Sequence, residues 1–479
     1  MVSCAMRIKP GPLLIGALSL AMCLAVTLGW ESRQRGAYSG DGYTNNNVMH
    51  GGRNFAHFGL LAMKMVPVQA PVPPDATAIS QIPRRLFYTH YPPGPDIVQF
   101  LLFKLGLESQ RSHQLAQYAV TIAGIVFCWL ALGTFFTGWP RIYAYMAALL
   151  SCSFIFFADS LQSFSWFFFF IWLYLYLVFN RPHVGMFFAI GLFSSWFSLD
   201  TVVPLQCLSL IPLGLKKLPL RRRLLLAAAM PCGEATGFAL HLLHNALFLG
   251  GLSEAFQDIF KSYRQRAGAM SPEELNDPSL NYSLARHGVK YIIGLQWFYT
   301  LPLVAAAAAG WALAKRRPLP VLMPYLAMAC IAGALLWQMA MKQHSMIHGF
   351  TIRHADVFVV LGLGFFTEWA LKAKKPALRA MPPILALALL THTTLSLAGV
   401  EGVAFKHWAV RVLVKDEHRA AWACLQEYRL RYSSELEGGK QVIRQYLPGE
   451  AGVKNCQRAP TAVPSTAANN LAALVLFLR

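Results

Sequence analysis

Apolar residues run through this chain in long blocks separated by short polar interruptions. "LLIGALSLAMCLAVTLG" lies near the N-terminus and "FFFFIWLYLYLVF" about a third of the way along. Such blocks reach, or nearly reach, the ~20 residues that a helix needs to cross a bilayer. About eleven spans are expected on this criterion, starting near residues 12, 113, 141, 161, 183, 201, 224, 291, 319, 355 and 380. The boundary between the spans at 183 and 201 stays open, because Asp200 and Pro204 interrupt one long apolar region. The first block follows Arg7 and Lys9 and shows no convincing small-residue cleavage site before "WESRQRG", so it is expected to be an uncleaved anchor.

Composition agrees with the blocks. Of 479 residues, 56% are hydrophobic and 13% charged, where a soluble globular chain carries roughly 25% charged residues. Mean hydropathy is +0.42. The expected fold class is an all-α integral membrane protein, a multispanning helical bundle with a large first outer loop.

A net charge of +20 would point to nucleic acid in a soluble protein. Here much of it falls in alternate short loops. Arg7 and Lys9 come first, then Arg141, Arg181, Lys216 to Arg223, Lys315 to Arg317, and Lys372 to Arg379. This is the positive-inside pattern of membrane topology, so no nucleic-acid partner is expected. The opposite side receives the longer loops, at 31–96, 251–290 and 341–354, with a small outside tail at 401–479. Chemistry is therefore expected on the outer face. Cysteine adds little: only Cys424 and Cys456 lie in the tail, where a disulfide and two free thiols are both open. There is no convincing phosphate loop or dinucleotide fingerprint, which leaves an ATP-driven pump poorly supported.

Three outer segments hold candidate chemistry. In "SGDGYTNNNVMHGGRNFAHFG", Asp41 sits between glycines, a pattern that fits a ligand-approaching acid and equally a solvated turn. From Asn45 to His57 the spacing predicts an amphipathic helix, with Val48, Met49 and Phe55 lying on the membrane and Arg53 one turn from His57. "FYTHYPPGPDIVQF" closes the loop. Pro92 and Pro93 fix an extended approach that holds His90 and Tyr91 at the interface, and a helix can begin at Pro95 or Asp96. "KQHSMIHGFTIRH" brings His344, His348, Arg353 and His354, cations suited to phosphate oxygens. The His344–His348 spacing also fits a divalent metal, without an evident third ligand. Arg264 and Arg266 lie on a further amphipathic segment. His241 and His244 sit near the outer end of an apolar helix, and Asp159 and Asp200 at outer helix ends.

A first-loop acid, the "RNF...FG" helix, the "THYPPG" return and the "QHxxIHxFTxRH" pattern together resemble the bacterial polyprenyl-phosphate-sugar glycosyltransferases, relatives of protein mannosyltransferases and of the aminoarabinose lipid A transferase. The resemblance covers residues 1–400, and a glycine follows Asp41 where many relatives have a second acid. It implies a C-type glycosyltransferase fold in a bacterial inner membrane, with a catalytic cavity facing the periplasm. Within that family, a sugar moves from a polyprenyl-phosphate donor to a lipid, polysaccharide or protein acceptor. Asp41 would orient or deprotonate the acceptor, and His344, His348, Arg353 and His354 would hold the donor phosphate. Arg53, His90, Tyr91, Arg264 and Arg266 would line the cavity. The competing class is a transporter or flippase of a lipid-linked sugar, which would place ionisable groups at mid-membrane beside broken helices.

Overall fold

The computed structural model describes residues 42–397, except 70–71, 73–76, 152–153, 155–156, 159, 163, 271–281, 315–321 and 348. The expected anchor, Asp41, Asp159, His348 and the tail with Cys424 and Cys456 lie outside the described residues. Among those described, the chain is helical, with one isolated bridge between Val68 and Phe87.

Fifteen α-helices are used below. The outer-loop helix α1 (Gly42–Phe58) is followed by α2 (Gly94–Lys104), α3 (Gln110–Phe135), α4 (Trp139–Leu150), α5 (Phe164–Asn180), α6 (Val184–Phe197), α7 (Leu199–Leu208) and α8 (Leu220–Leu249). Then come α9 (Leu252–Arg266), α10 (Leu284–Tyr299), α11 (Leu301–Ala314), α12 (Leu322–Ala340), α13 (Lys342–Ile347), α14 (Asp356–Lys372) and α15 (Pro376–Leu397). Among the described residues, four helical segments are long and apolar enough to cross a membrane: Ser112–Phe135, Leu220–Leu249, Leu322–Ala340 and Thr351–Lys372. A fifth span results if α10 and α11, which meet at a 91° bend, count as one. Thr300, at φ 66°, makes that bend. The apolar region with the open boundary breaks at Ser198, giving α6 and α7, each too short to cross the ~30 Å hydrocarbon layer alone.

Helix packing follows the composition of the contact faces. A Cβ on Gly191 of α6 would strike the Met230 carbonyl of α8, and one on Gly233 would strike the Phe188 carbonyl. Gly310 of α11 meets Gly362 of α14 in the same way. Small residues let these backbones approach, the means by which helices associate where surrounding lipid is as apolar as the side chains. Elsewhere the interior is aromatic: Phe167, Trp172 and Tyr174 of α5 belong to one continuous core. Arg141, expected only to mark a short basic loop, is buried and donates to the Trp129 carbonyl at 2.6 Å while lying over the Trp129 ring. It therefore ties α4 to the end of α3 as well.

The first outer loop differs from expectation in one respect. The predicted amphipathic helix is present as α1, but its apolar face turns to protein rather than membrane. Val48 packs with Leu161, and Phe55 with Met63, Val68 and Ile82. The physical reason is a polar anchor on the same helix. Asn45 is buried and accepts hydrogen bonds from the Leu161 amide at 2.8 Å and the Ser160 hydroxyl at 3.1 Å. Gly51 and Gly52 then let α1 press against Asp96 and Gln99 of α2.

Candidate functional site

The return of the first loop, residues 87–96, is where distant parts of the sequence meet. Pro92 and Pro93 precede α2, which starts at Gly94 with a proline in its first turn. Gly94 lies against the Trp196 carbonyl at the end of α6, too close for any side chain. The approach is thus fixed from behind, and residues 88–91 project from it.

Four contacts hold this stretch. Asn245 of α8 donates to the Thr89 carbonyl at 2.8 Å. The Thr89 hydroxyl donates to Asp258 of α9 at 2.5 Å. His90 Nε2 lies 3.5 Å from the other Asp258 oxygen. The Tyr88 amide donates to the Pro67 carbonyl at 2.8 Å. The His90 contact, with Thr89 also bonded, holds the Asp258 carboxyl below its ordinary range, against the opposing effect of partial burial.

Tyr91 is the point of convergence. Its ring stacks on Tyr88 with centroids 5.9 Å apart. The Arg266 guanidinium of α9 sits 5.0 Å from the Tyr91 centroid, within cation–π range. Its hydroxyl lies 3.4 Å from His344 Nε2 of α13. Three segments (the return, the amphipathic helix and the histidine-rich loop), the outermost 253 residues apart in the chain, are thereby joined. Lys290 of α10 holds the last from beneath, donating to the Met346 carbonyl at 2.7 Å.

Arg353 and His354 are placed deeper. Arg353 is 2% exposed and pairs with Asp200 at the start of α7, which also accepts from Ser198. Its guanidinium lies over Phe164 at 4.0 Å and Phe167 at 4.8 Å. His354 Nε2 is 3.9 Å from the same carboxylate, and its ring lies between Phe167 and Trp337. A small cavity opens beside Arg353 and Asp356, walled largely by phenylalanines. Trp337, 6.1 Å from His344 and 5.4 Å from His354, connects the upper and lower groups.

Not every candidate joins them. Arg53 is exposed and lies 5.9 Å from the Phe103 ring. Arg264 is on the same helix as Arg266 but donates within its own loop, to the Ala269 carbonyl. His241 and His244 bond each other at 2.9 Å, with Asn245 at 3.4 Å from His241. Among the described residues, no three His, Cys, Asp or Glu side chains gather as a metal site. The sequence reading missed Asn245, Asp258 and the partnership of Arg353 with Asp200. Asp258 had a legible signal: residues 255, 258, 262 and 266 share one face at helical spacing. Asp96, the acid in the return, is buried against Gln69, and burial raises its carboxyl well above the ordinary range.

No family model and no curated protein matches this chain.

Proposed function

We propose that this chain is a membrane glycosyltransferase that moves a sugar from a polyprenyl-phosphate donor to a lipid, polysaccharide or protein acceptor on the outer face. The observation that carries the reading is the meeting of Tyr91, Arg266 and His344. Two segments whose motifs resemble the family, the return with Tyr91 and the loop with His344, meet here with Arg266 of α9. In this reading Arg266 and His344 meet the donor phosphate, the guanidinium by paired N–H donors and the imidazole by one. Arg353 and His354, which the resemblance also assigns to the donor phosphate, are buried beside Asp200 and in this reading support that junction instead. Asp41 orients or deprotonates the acceptor hydroxyl. The bond from the anomeric carbon to the phosphate oxygen breaks, the acceptor oxygen bonds to that carbon, and the lipid phosphate leaves with the electron pair.

A second reading, a transporter of a lipid-linked sugar, is favoured by two observations. The α10–α11 pair is sharply bent, and Glu234 is buried in a helix long enough to span. Broken helices and intramembrane acids are features of transport pathways. Full-length chain in vesicles, given radiolabelled polyprenyl-phosphate sugar and an envelope extract as acceptor, separates the two. Free polyprenyl phosphate with labelled glycan supports transfer. Sugar crossing the vesicle while still joined to its lipid supports transport and overturns transfer.

A further inference from the structure

Helix α9 has three faces that do different things. Ala255, Asp258, Ser262 and Arg266 share the inward face, where Ala255 and Ser262 are buried and Asp258 and Arg266 reach residues 89–91. Glu254, Gln257 and Lys261 are exposed on a polar face. Between them runs a stripe of large apolar side chains open to the surroundings: Leu252 at 54%, Phe256 at 52%, Phe260 at 60% and Tyr263 at 44% exposure. The spacing of four, four and three places all of them on one side of the helix.

We propose that this stripe seats in the outer interface of the lipid bilayer, and that lipid seating holds the inward face of α9 against the Tyr88–Tyr91 stretch. Continuity identifies lipid as the occupant. The preceding helix α8 is long and apolar enough to cross a membrane. It leaves Leu240, Leu243 and Leu247 exposed on a stripe of its own. Only Gly250, at φ 100°, and Gly251 separate the two helices, so α9 begins where the spanning helix ends. The sequence also fits an interfacial helix: apolar on one side, with Lys261 and Arg264 on the other suited to lipid phosphates. The contacts of Asp258 with Thr89 and His90, and of Arg266 with Tyr91, come from the same helix. A shift of α9 off the bilayer would therefore release them together. This coupling is independent of which reaction the outer face performs.

The test uses full-length chain in vesicles of phosphatidylcholine and phosphatidylglycerol. Phe260 and Lys261 are replaced, one at a time, by a nitroxide-bearing unnatural amino acid. The label at 260 is expected to relax more with oxygen than with a water-soluble nickel chelate, and the label at 261 the reverse. Nickel-dominated relaxation at 260 overturns the proposal, as does a label at 260 held between two copies of the chain. The coupling is read separately by hydrogen exchange of the Tyr88 amide. In a Phe256→Asp/Phe260→Asp variant its exchange is expected to rise several-fold, with α5 amides unchanged. Unchanged exchange at Tyr88 in that variant would end the claim that lipid seating holds the stretch. Neither readout involves sugar transfer, so this inference and the proposed reaction fail independently.

Discussion

The histidine-rich outer loop supplies two regions that the same residue types build differently. Its first half gives His344, which joins Tyr91 and Arg266 in the upper region. Its second half gives Arg353 and His354, which turn inward to Asp200. In the upper region His344 is buried while Tyr91 and Arg266 are half-buried, and polar contacts to the return and to α9 hold the group. In the lower region the charges are buried among aromatic rings. A charge in the lower region must be matched, because removing one partner strands the other without water. In the upper region the Arg266 charge is met by the Tyr91 ring rather than by a carboxylate. The difference separates a junction with the return and α9 from a buried ion pair within one motif of thirteen residues, 342 to 354.

The contrast can be broken most severely at its buried end. Asp200→Ala leaves Arg353 without its carboxylate and is expected to destabilise the protein by about 3–5 kcal/mol. The loss should appear as a lower thermal midpoint in detergent. Asp200→Asn combined with Arg353→Gln should recover part of it, since no unmatched charge remains. A midpoint unchanged in Asp200→Ala would remove the architectural role.

Asn245→Ala acts on the upper region through a buried hydrogen bond to the Thr89 carbonyl. A buried acceptor left unsatisfied costs about 1–3 kcal/mol. Because Thr89 lies in the return, the loss should be local: faster proteolysis within residues 84–91, with the helical core unaffected.

Asp258→Asn should have the smallest effect on stability, about 0–1 kcal/mol, as the His90 contact is partly exposed. Its signature is in pH. The folded carboxyl titrates below its ordinary value of 3.8. Its contribution is therefore present above that value and is lost as pH falls through the lower, folded one. Wild type should lose stability relative to Asp258→Asn only below about pH 4, measured by denaturant unfolding at a series of acidic pH values. A difference that instead opened near neutrality would point to another group.

Much of the frame was legible from sequence because hydrophobic blocks and their basic interruptions follow directly from lipid as solvent. The long helices at 112–135, 220–249 and 322–340 arise this way. A helix start after the prolines was also legible, expected at Pro95 or Asp96 and found one residue earlier, at Gly94. The orientation of α1 was not legible. Val48 and Phe55 are apolar whether the helix lies on lipid or protein, and only the buried Asn45 contact decides between them. Nor was the division of the outer loop. Nothing in the spacing of His344 and Arg353 shows that one faces Tyr91 and the other Asp200, because Asp200 is 153 residues away in the chain. The close helix crossings did leave a signal, Gly233 and Gly237 four residues apart on α8, which marks a face made for close packing.

The assignment of recognition to the upper region is tested most directly by the affinity of the full-length protein for polyprenyl phosphate in detergent. The measurement compares wild type with Arg266→Gln and with His344→Gln. Each variant loses a charged or charge-capable donor to phosphate, so binding should weaken about ten- to a hundredfold, with the thermal midpoint kept. Affinity equal to wild type in both variants would contradict the assignment and leave Tyr91, Arg266 and His344 as a structural junction of three loops.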